Sequence, residues 1–361
     1  MVCLMTRFLS ADRAQLAALL PGLDEQLQSE PFMSLEGRQS PAIEWFRSAG
    51  GPGLIVPEDS GGLGATLGAA IQVQRAVGSR SPSLAVATTM HHATVATMRD
   101  VEHEAGMEWL LMQAIAENRL LIASGVAEGE LRSGVNAPRL RAKRVDGGLL
   151  LNGSKKPCSL SHSMDLLAVS IRIDDDPSDR WAVAVVTADS PGLERREFWS
   201  SEVLAGAESD EVVLSDVFVP ERLITYFGRH GETSDPLRAA FVWFELLIAA
   251  SYLGVASALA ERVFVSPRST NTVIAAIATD LEGAMLALLQ VASGVGSGMP
   301  TPTSRGGTRR ASTDARSGGA RILLGIRRAW RRRFHRIERS RISLRRSSLP
   351  CLPSAFLARG N

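Results

Sequence analysis

Cysteine is scarce. The only three, Cys3, Cys158 and Cys351, lie far apart, with neither Cys-x-x-Cys spacing nor the density of a secreted scaffold. That argues against disulfide stapling and against a zinc site. No signal sequence is expected, because Arg7, Asp12 and Arg13 interrupt Met1 to Arg13 before an apolar core can form. A cytoplasmic location is expected. No Gly-x-Gly-x-x-Gly or phosphate loop follows a strand, which counts against nicotinamide or ATP binding through those motifs. His91-His92 have no carboxylate at metal-ligand spacing, and Asp174-Asp175-Asp176 with Asp179 read as a solvated turn between strands, so no metal is expected.

What is present is enough to build large cores. The 361 residues are 45% apolar, a length that suggests two or three domains. The net charge of +2 hides an asymmetry: residues 301–361 hold sixteen Arg, no Lys, and only Asp314 and Glu338 as acids. Subtracting these from the 40 basic and 38 acidic residues leaves 24 and 36 in residues 1–300. The first part therefore carries about −12 and the tail about +14, which marks the tail as a different kind of polypeptide.

Up to about residue 117 the chain reads as helices punctuated by Gly and Pro. Ser10 is placed to cap a helix carrying Leu16, Leu19, Leu20 and Leu23, and Ser40-Pro41 opens another. Pro57 to Gly64 is a loop, since three glycines and a proline favour turns. Helices resume over 65–77, 81–98 and 103–117. From Leu120 to Val219 short segments rich in β-branched residues alternate with turn residues. Asp146-Gly147 between two of them signals a hairpin, and the whole reads as a small antiparallel barrel or sandwich. After Pro220 the pattern returns to helix. Residues 236–261 are apolar nearly all round, a property of bundle centres as well as of membrane spans. Glu245 inside the stretch and a flank that is polar rather than basic favour the bundle, so no membrane is expected. A second helix runs over 271–292.

Three segments carry a family resemblance in order and at suitable spacing. Gly53 to Glu58 followed by Gly61-Gly62-Leu63-Gly64, then Gly148 to Lys155 (Gly-Leu-Leu-Leu-Asn-Gly-Ser-Lys), then Val212 to Pro220 (Val-Val-Leu-Ser-Asp-Val-Phe-Val-Pro) resemble matching segments of the acyl-CoA dehydrogenase family. The resemblance implies an α+β protein: an N-terminal all-α domain (1–117), a middle antiparallel β-barrel domain (118–228) and a truncated C-terminal helical bundle (229–297), followed by the Arg-rich tail (298–361). It also implies an FAD-linked α,β-dehydrogenation of acyl-CoA or another acyl thioester. An external electron acceptor such as an electron-transfer flavoprotein and a homo-oligomeric assembly belong to the same expectation.

By that resemblance two strand-end segments hold the flavin, Val126-Ala127-Glu128 through Ser133 and Pro157-Cys158-Ser159, with Ser133 near the pyrophosphate and Ser159 near the N5/O4 edge. Where the family usually has Thr, Gly and an aromatic, this chain has Ala127, Arg132 and Pro157. The α-proton base, a Glu that some members carry on the first bundle helix, maps to Glu245, one residue from the expected register. Such a slip turns a helical side chain by about 100°. A flavin monooxygenase of the same fold, which needs no α-proton base, and a non-catalytic family member are the alternatives.

The tail has two readings. Sixteen arginines suit salt-sensitive nucleic-acid binding. Alternatively Arg, Ser, Gly, Pro and Ala are the products of GC-rich codons translated out of frame, beginning where two bundle helices ought to follow. The second reading predicts that shifting the frame near codon 299 of the gene restores an apolar helical pattern, and a shifted frame full of stops would refute it.

Overall fold

Among the described residues up to 118 the α-helices are α1 (Ser10–Leu19), α2 (Leu23–Ser29), α3 (Phe32–Glu36), α4 (Ala42–Ser48), α5 (Leu67–Arg80), α6 (Pro82–Arg99) and α7 (Met107–Asn118). The computed structural model describes residues 8–99, 107–128, 138–174, 176–229 and 235–296. The arginine-rich tail and Ser133 lie outside them. Ser10 is the first residue of α1 rather than its cap, a place taken by Leu9. In the 57–64 loop Gly61 and Gly64 have positive φ, and a Cβ on Gly62 would meet the Val56 carbonyl at 2.2 Å, so glycine is required by close approach.

Among the described residues eight strands follow: β1 (Ile122–Gly125), β2 (Arg141–Val145), β3 (Gly148–Cys158), β4 (Leu166–Ile173), β5 (Arg180–Thr187), β6 (Leu193–Arg196), β7 (Asp210–Pro220) and β8 (Ile224–Arg229). The hairpin read from Asp146-Gly147 is present, with Val145 opposite Gly148 and Gly147 at φ +76°. The expected antiparallel barrel is corrected on two points. One edge of β4 pairs in parallel with β1 over Leu166–Val169 and with β2 over Arg172–Ile173. The ladder also stays open, running β6-β7-β3-β2-β4-β5-β8. Alternation of apolar residues reports which face of a strand is inward, not which edge finds a partner. The terminal strand β6 is short and charged (Glu194, Arg195, Arg196), which suits an unpaired edge. Leu149, Leu151, Leu167, Val169, Ile171, Val217 and Val219 form the buried interior of the sheet.

Two long helices complete the described fold, α8 (Asp235–Phe264) and α9 (Asn271–Gly296). Both are long and apolar enough to cross a membrane by length and composition, but α8 packs on α5 and α6, where Leu246, Leu247, Ala250 and Leu253 are buried. The α5–α8 crossing is close because both backbones carry glycine there. A Cβ on Gly78 would meet the Ser251 carbonyl at 2.4 Å, and one on Gly254 the Arg75 carbonyl at 2.3 Å. Beside it the buried Arg75 guanidinium ties four helices, donating to Asp12 on α1 (3.0 Å), Ser257 on α8 (3.2 Å) and Glu282 on α9 (2.7 Å). A buried guanidinium is tolerated only when paired in this way.

Helix α6 is locked to the sheet through His91. Its Nε2 donates to the Pro52 carbonyl (2.9 Å), and its Nδ1 accepts from the Ile122 N–H at the start of β1 (3.1 Å). That pair of bonds requires the neutral ring. Burial holds His91 at about 4, and burial with His91 alongside holds His92 well below the ordinary range. Both rings take up protons near pH 6.5 once unfolded, so the stability tied to their neutrality is full above that pH and is lost as pH falls towards 4. The ring nitrogens of His92 have no hydrogen-bond partner among the described residues.

These facts separate two substitutions. His91→Leu strands a carbonyl and an N–H and should cost roughly 2–4 kcal/mol at pH 7. His92→Leu should be neutral or stabilising there, and by pH 5 should gain about 2 kcal/mol on the wild type. Urea denaturation at the two pH values measures both, and equal effects of the two substitutions would contradict this account.

Candidate functional site

Where α6, α7 and α8 meet the face of β4, β5 and β8, the fold leaves a cavity of about 260 Å³. Strand register lays out its floor. Ser170 is opposite Val183, and Val183 opposite Thr225. Directly paired residues share a face, so these three side chains cross the floor in one row, with Ser170 and Thr225 about 10 Å apart at the usual strand spacing. Ser124, Ala168 and Val185 form the next row. Over them α6 presents Met90, Thr94 and Thr97, and α8 presents Phe241 and Phe244. The Thr94 and Thr97 hydroxyls donate back to the carbonyls of Met90 (2.9 Å) and Ala93 (3.0 Å). The helical wall is therefore largely apolar.

Two polar stations break that surface. At one, the buried Lys155 ammonium donates to Ser170 Oγ at 3.0 Å and also to the Glu128 carboxylate. An ammonium only donates, so Ser170 accepts from it and its own O–H is directed elsewhere. This leaves a hydroxyl donor with a cation behind it. Burial lowers the Lys155 pKa, opposed by Glu128. Burial would raise that of Glu128, but the Lys155 ammonium and the Arg139 N–H hold it low. At the other station Glu108 Oε1 accepts from Thr225 Oγ1 at 3.0 Å. Among the described residues lining the cavity Glu108 is the one carboxylate, and the exposed Arg222 is the one cation.

The residues expected from the sequence fall into groups. Val126, Ala127 and Pro157 line the cavity together. Pairing of β1 with β4 ends at Gly125, so the N–H groups of Val126 and Ala127 lie beyond the paired stretch. Lys156 N donates to the Ala127 carbonyl at 3.2 Å, which keeps Pro157 beside it. Cys158 and Ser159 are buried outside the lining. Burial pushes the Cys158 thiol up to about 12, and Ser159 Oγ lies 2.9 Å from Ser209 Oγ. Glu245 is half-buried on α8 and is not part of the cavity wall, although Phe241 and Phe244 on the same helix are. Glu108, Ser170 and Thr225 were missed. A signal existed for Glu108: it stands three, four and seven residues before Leu111, Met112 and Ile115, which places a carboxylate on the inward stripe of α7.

No family profile matches the chain. Over 290 residues, 77% of this chain and 76% of the relative, it is 43% identical to the isobutylamine N-hydroxylase of Streptomyces viridifaciens. It is 23% identical over 212 residues to the mitochondrial isovaleryl-CoA dehydrogenase of Arabidopsis thaliana, covering 58% of this chain and 51% of that protein. The chain belongs to the acyl-CoA dehydrogenase family. FMN-bound TdsC of Paenibacillus sp. A11-2 shares the fold of this acyl-CoA dehydrogenase-family chain, with a TM-score of 0.63 at 20% identity over 80% of this chain and 76% of that one. The family consists of flavin-dependent oxidoreductases, and the cavity suits a flavin ring. Its reducible edge needs hydrogen-bond donors; Ser170, whose Oγ accepts from Lys155, has its O–H to give and lies on the wall that carries Val126, Ala127 and Pro157.

The buried ion pair under this wall is testable. Lys155→Met leaves Glu128 without its cation and should cost roughly 3–5 kcal/mol, much of it recovered by adding Glu128→Gln. A double-mutant cycle by denaturant unfolding measures this, and additive losses would show that the pair is not coupled.

Proposed function

We propose that this chain is a flavin-dependent monooxygenase that hydroxylates the nitrogen of a small primary amine. The likeness to isobutylamine N-hydroxylase carries this reading, since it extends over three quarters of both chains. The cavity supports it. Removing an acyl α-proton calls for a carboxylate facing the substrate; the expected Glu245 is not part of the wall, and Glu108, the carboxylate in the lining, comes from α7 and is bonded to Thr225. Nitrogen hydroxylation needs no such base. It needs a dry, apolar chamber beside the flavin, and Met90, Phe241, Phe244 and Val185 give the cavity apolar walls for a short alkyl group.

When bound and reduced, the flavin supplies the activation of molecular oxygen. The chain's own residues hold and shield it: Val126, Ala127 and Pro157 flank the ring, and Ser170, with Lys155 behind it, supplies the hydroxyl that Ala127 lacks. FAD remains the cofactor read from the sequence, while FMN is the form held by TdsC. An external flavin reductase replaces the electron-transfer flavoprotein as redox partner in this proposal. A cytoplasmic homo-oligomer completes it, supported by the exposed apolar Leu259, Val265, Val273 and Leu286 on and between α8 and α9.

The test is to supply the purified protein with a flavin reductase, a nicotinamide reductant, oxygen and isobutylamine, and to examine the amine by mass spectrometry. A product heavier by one oxygen atom is expected, and isovaleryl-CoA added anaerobically should leave the flavin yellow. Bleaching by isovaleryl-CoA with no oxygenated amine would overturn the proposal in favour of the acyl thioester dehydrogenase.

A further inference from the structure

We infer that Thr94 and Thr97 hold the amine of the substrate as its uncharged free base. This rests on the amine reading above and names both the form of the substrate and the residues that take it. Met90, Thr94 and Thr97 are spaced four and three residues apart on α6 and line the cavity from one stripe of the helix. Thr94 Oγ1 gives its proton to the Met90 carbonyl at 2.9 Å, and Thr97 Oγ1 gives its proton to the Ala93 carbonyl at 3.0 Å. A hydroxyl has one proton and two lone pairs, so with the proton spent each oxygen can only accept from a ligand. Residues three apart on a helix have Cβ atoms about 5–6 Å apart, a span that one amino group bridges with two N–H bonds of about 2.9–3.0 Å. Held in this way, the nitrogen keeps its lone pair, which is the pair an added oxygen atom must share.

The charges around the cavity disfavour the ammonium form. An ammonium brought against an apolar wall needs an open counterion, and Glu108 on α7 does not provide one. Its Oε1 accepts from Thr225 at 3.0 Å, and its Oε2 is buried out of reach of a ligand. Arg222, on the turn before β8, adds a positive charge to the lining. Lys155 behind Ser170 is a second cation, and its carboxylate partner Glu128 is already bonded to it. Among the described residues, α6 and α8 put no charged side chain into the wall. A primary alkylammonium titrates like the lysine side chain, at about 10.4, so near pH 7.4 about one molecule in a thousand is the free base. Selecting that form lowers apparent affinity by a factor of about 1000, a smaller loss than burying an unpaired ammonium. The amine therefore leaves its proton in solvent as it enters.

The test is calorimetric titration of the flavin-loaded protein with isobutylamine and isobutanol at pH 6.5, 7.5, 8.5 and 9.5, in buffers of different ionisation enthalpy. Amine affinity should rise about tenfold per pH unit, with close to one proton released per amine bound, while isobutanol affinity stays level. An amine that does not bind, or that binds with level affinity and no proton release, would overturn the inference. Thr94→Val combined with Thr97→Val should lower amine affinity about 10- to 30-fold at pH 8.5 with the flavin spectrum unchanged, and the corresponding pair of Ser substitutions should retain most of it. Unchanged affinity in the Val pair would refute the assignment. If the Val pair fails to hold flavin, the single variants decide: a loss of about fivefold in either supports the assignment, and no loss in both refutes it. Free-base binding at these hydroxyls without an oxygenated product would sink the N-hydroxylase reading and leave the assignment standing. An oxygenated product with amine binding indifferent to pH would do the reverse.

Discussion

The site depends on one buried neutral ring. His91 bonds at one nitrogen to the turn containing Pro52 and at the other to the first residue of β1, and so fixes α6 against the sheet. β1 then delivers Val126 and Ala127 past the end of their pairing with β4, while α6 delivers Met90, Thr94 and Thr97 to the opposite wall. Remove that pair of hydrogen bonds and the two walls of the cavity are no longer held by a common group. A charged imidazole cannot replace the neutral one, because Nδ1 must accept.

Other docking contacts reinforce this clamp. Arg47 on α4 reaches Asp165 (2.6 Å) and the Ser163 carbonyl (2.7 Å) just before β4, and Arg38 reaches Asp210 at the start of β7 (2.9 Å). Burial would raise the pKa of Asp210, but N–H bonds from Phe198 and Trp199, with His162 and Arg38, hold it far below the ordinary range. These polar groups at the helix–sheet junction thus have partners, which is the condition for burying them cheaply. The cavity is the place where apolar walls are left facing each other, with two stations of charge behind them.

Much of this was legible in the residues. Period-2 and period-3.6 patterns located β4 to the residue and α6 to within one residue of its ends, and Asp146-Gly147 marked the hairpin. Strand β8 was not found, because Ile224–Arg229 follows a proline and precedes a long apolar helix; yet it carries Thr225 and Phe227 into the cavity. Parallel pairing of β1 and β2 along one edge of β4 was invisible because it depends on contacts distant in sequence. Resemblance pointed to Val126, Ala127 and Pro157, which share the cavity wall, and for a carboxylate to Glu245 on α8, which is not in that wall. Glu108 sits on α7, where only its place on the apolar stripe distinguishes it from a surface acid.

The proposed chemistry depends on a flavin ring seated on the wall made by Val126, Ala127, Pro157 and Ser170. A crystal structure of the flavin-loaded protein tests that most directly. The isoalloxazine is expected against those residues, with Ser170 Oγ within hydrogen-bond distance of the ring. Density for the ring outside this cavity, or a cavity filled by side chains with flavin bound elsewhere, would contradict it.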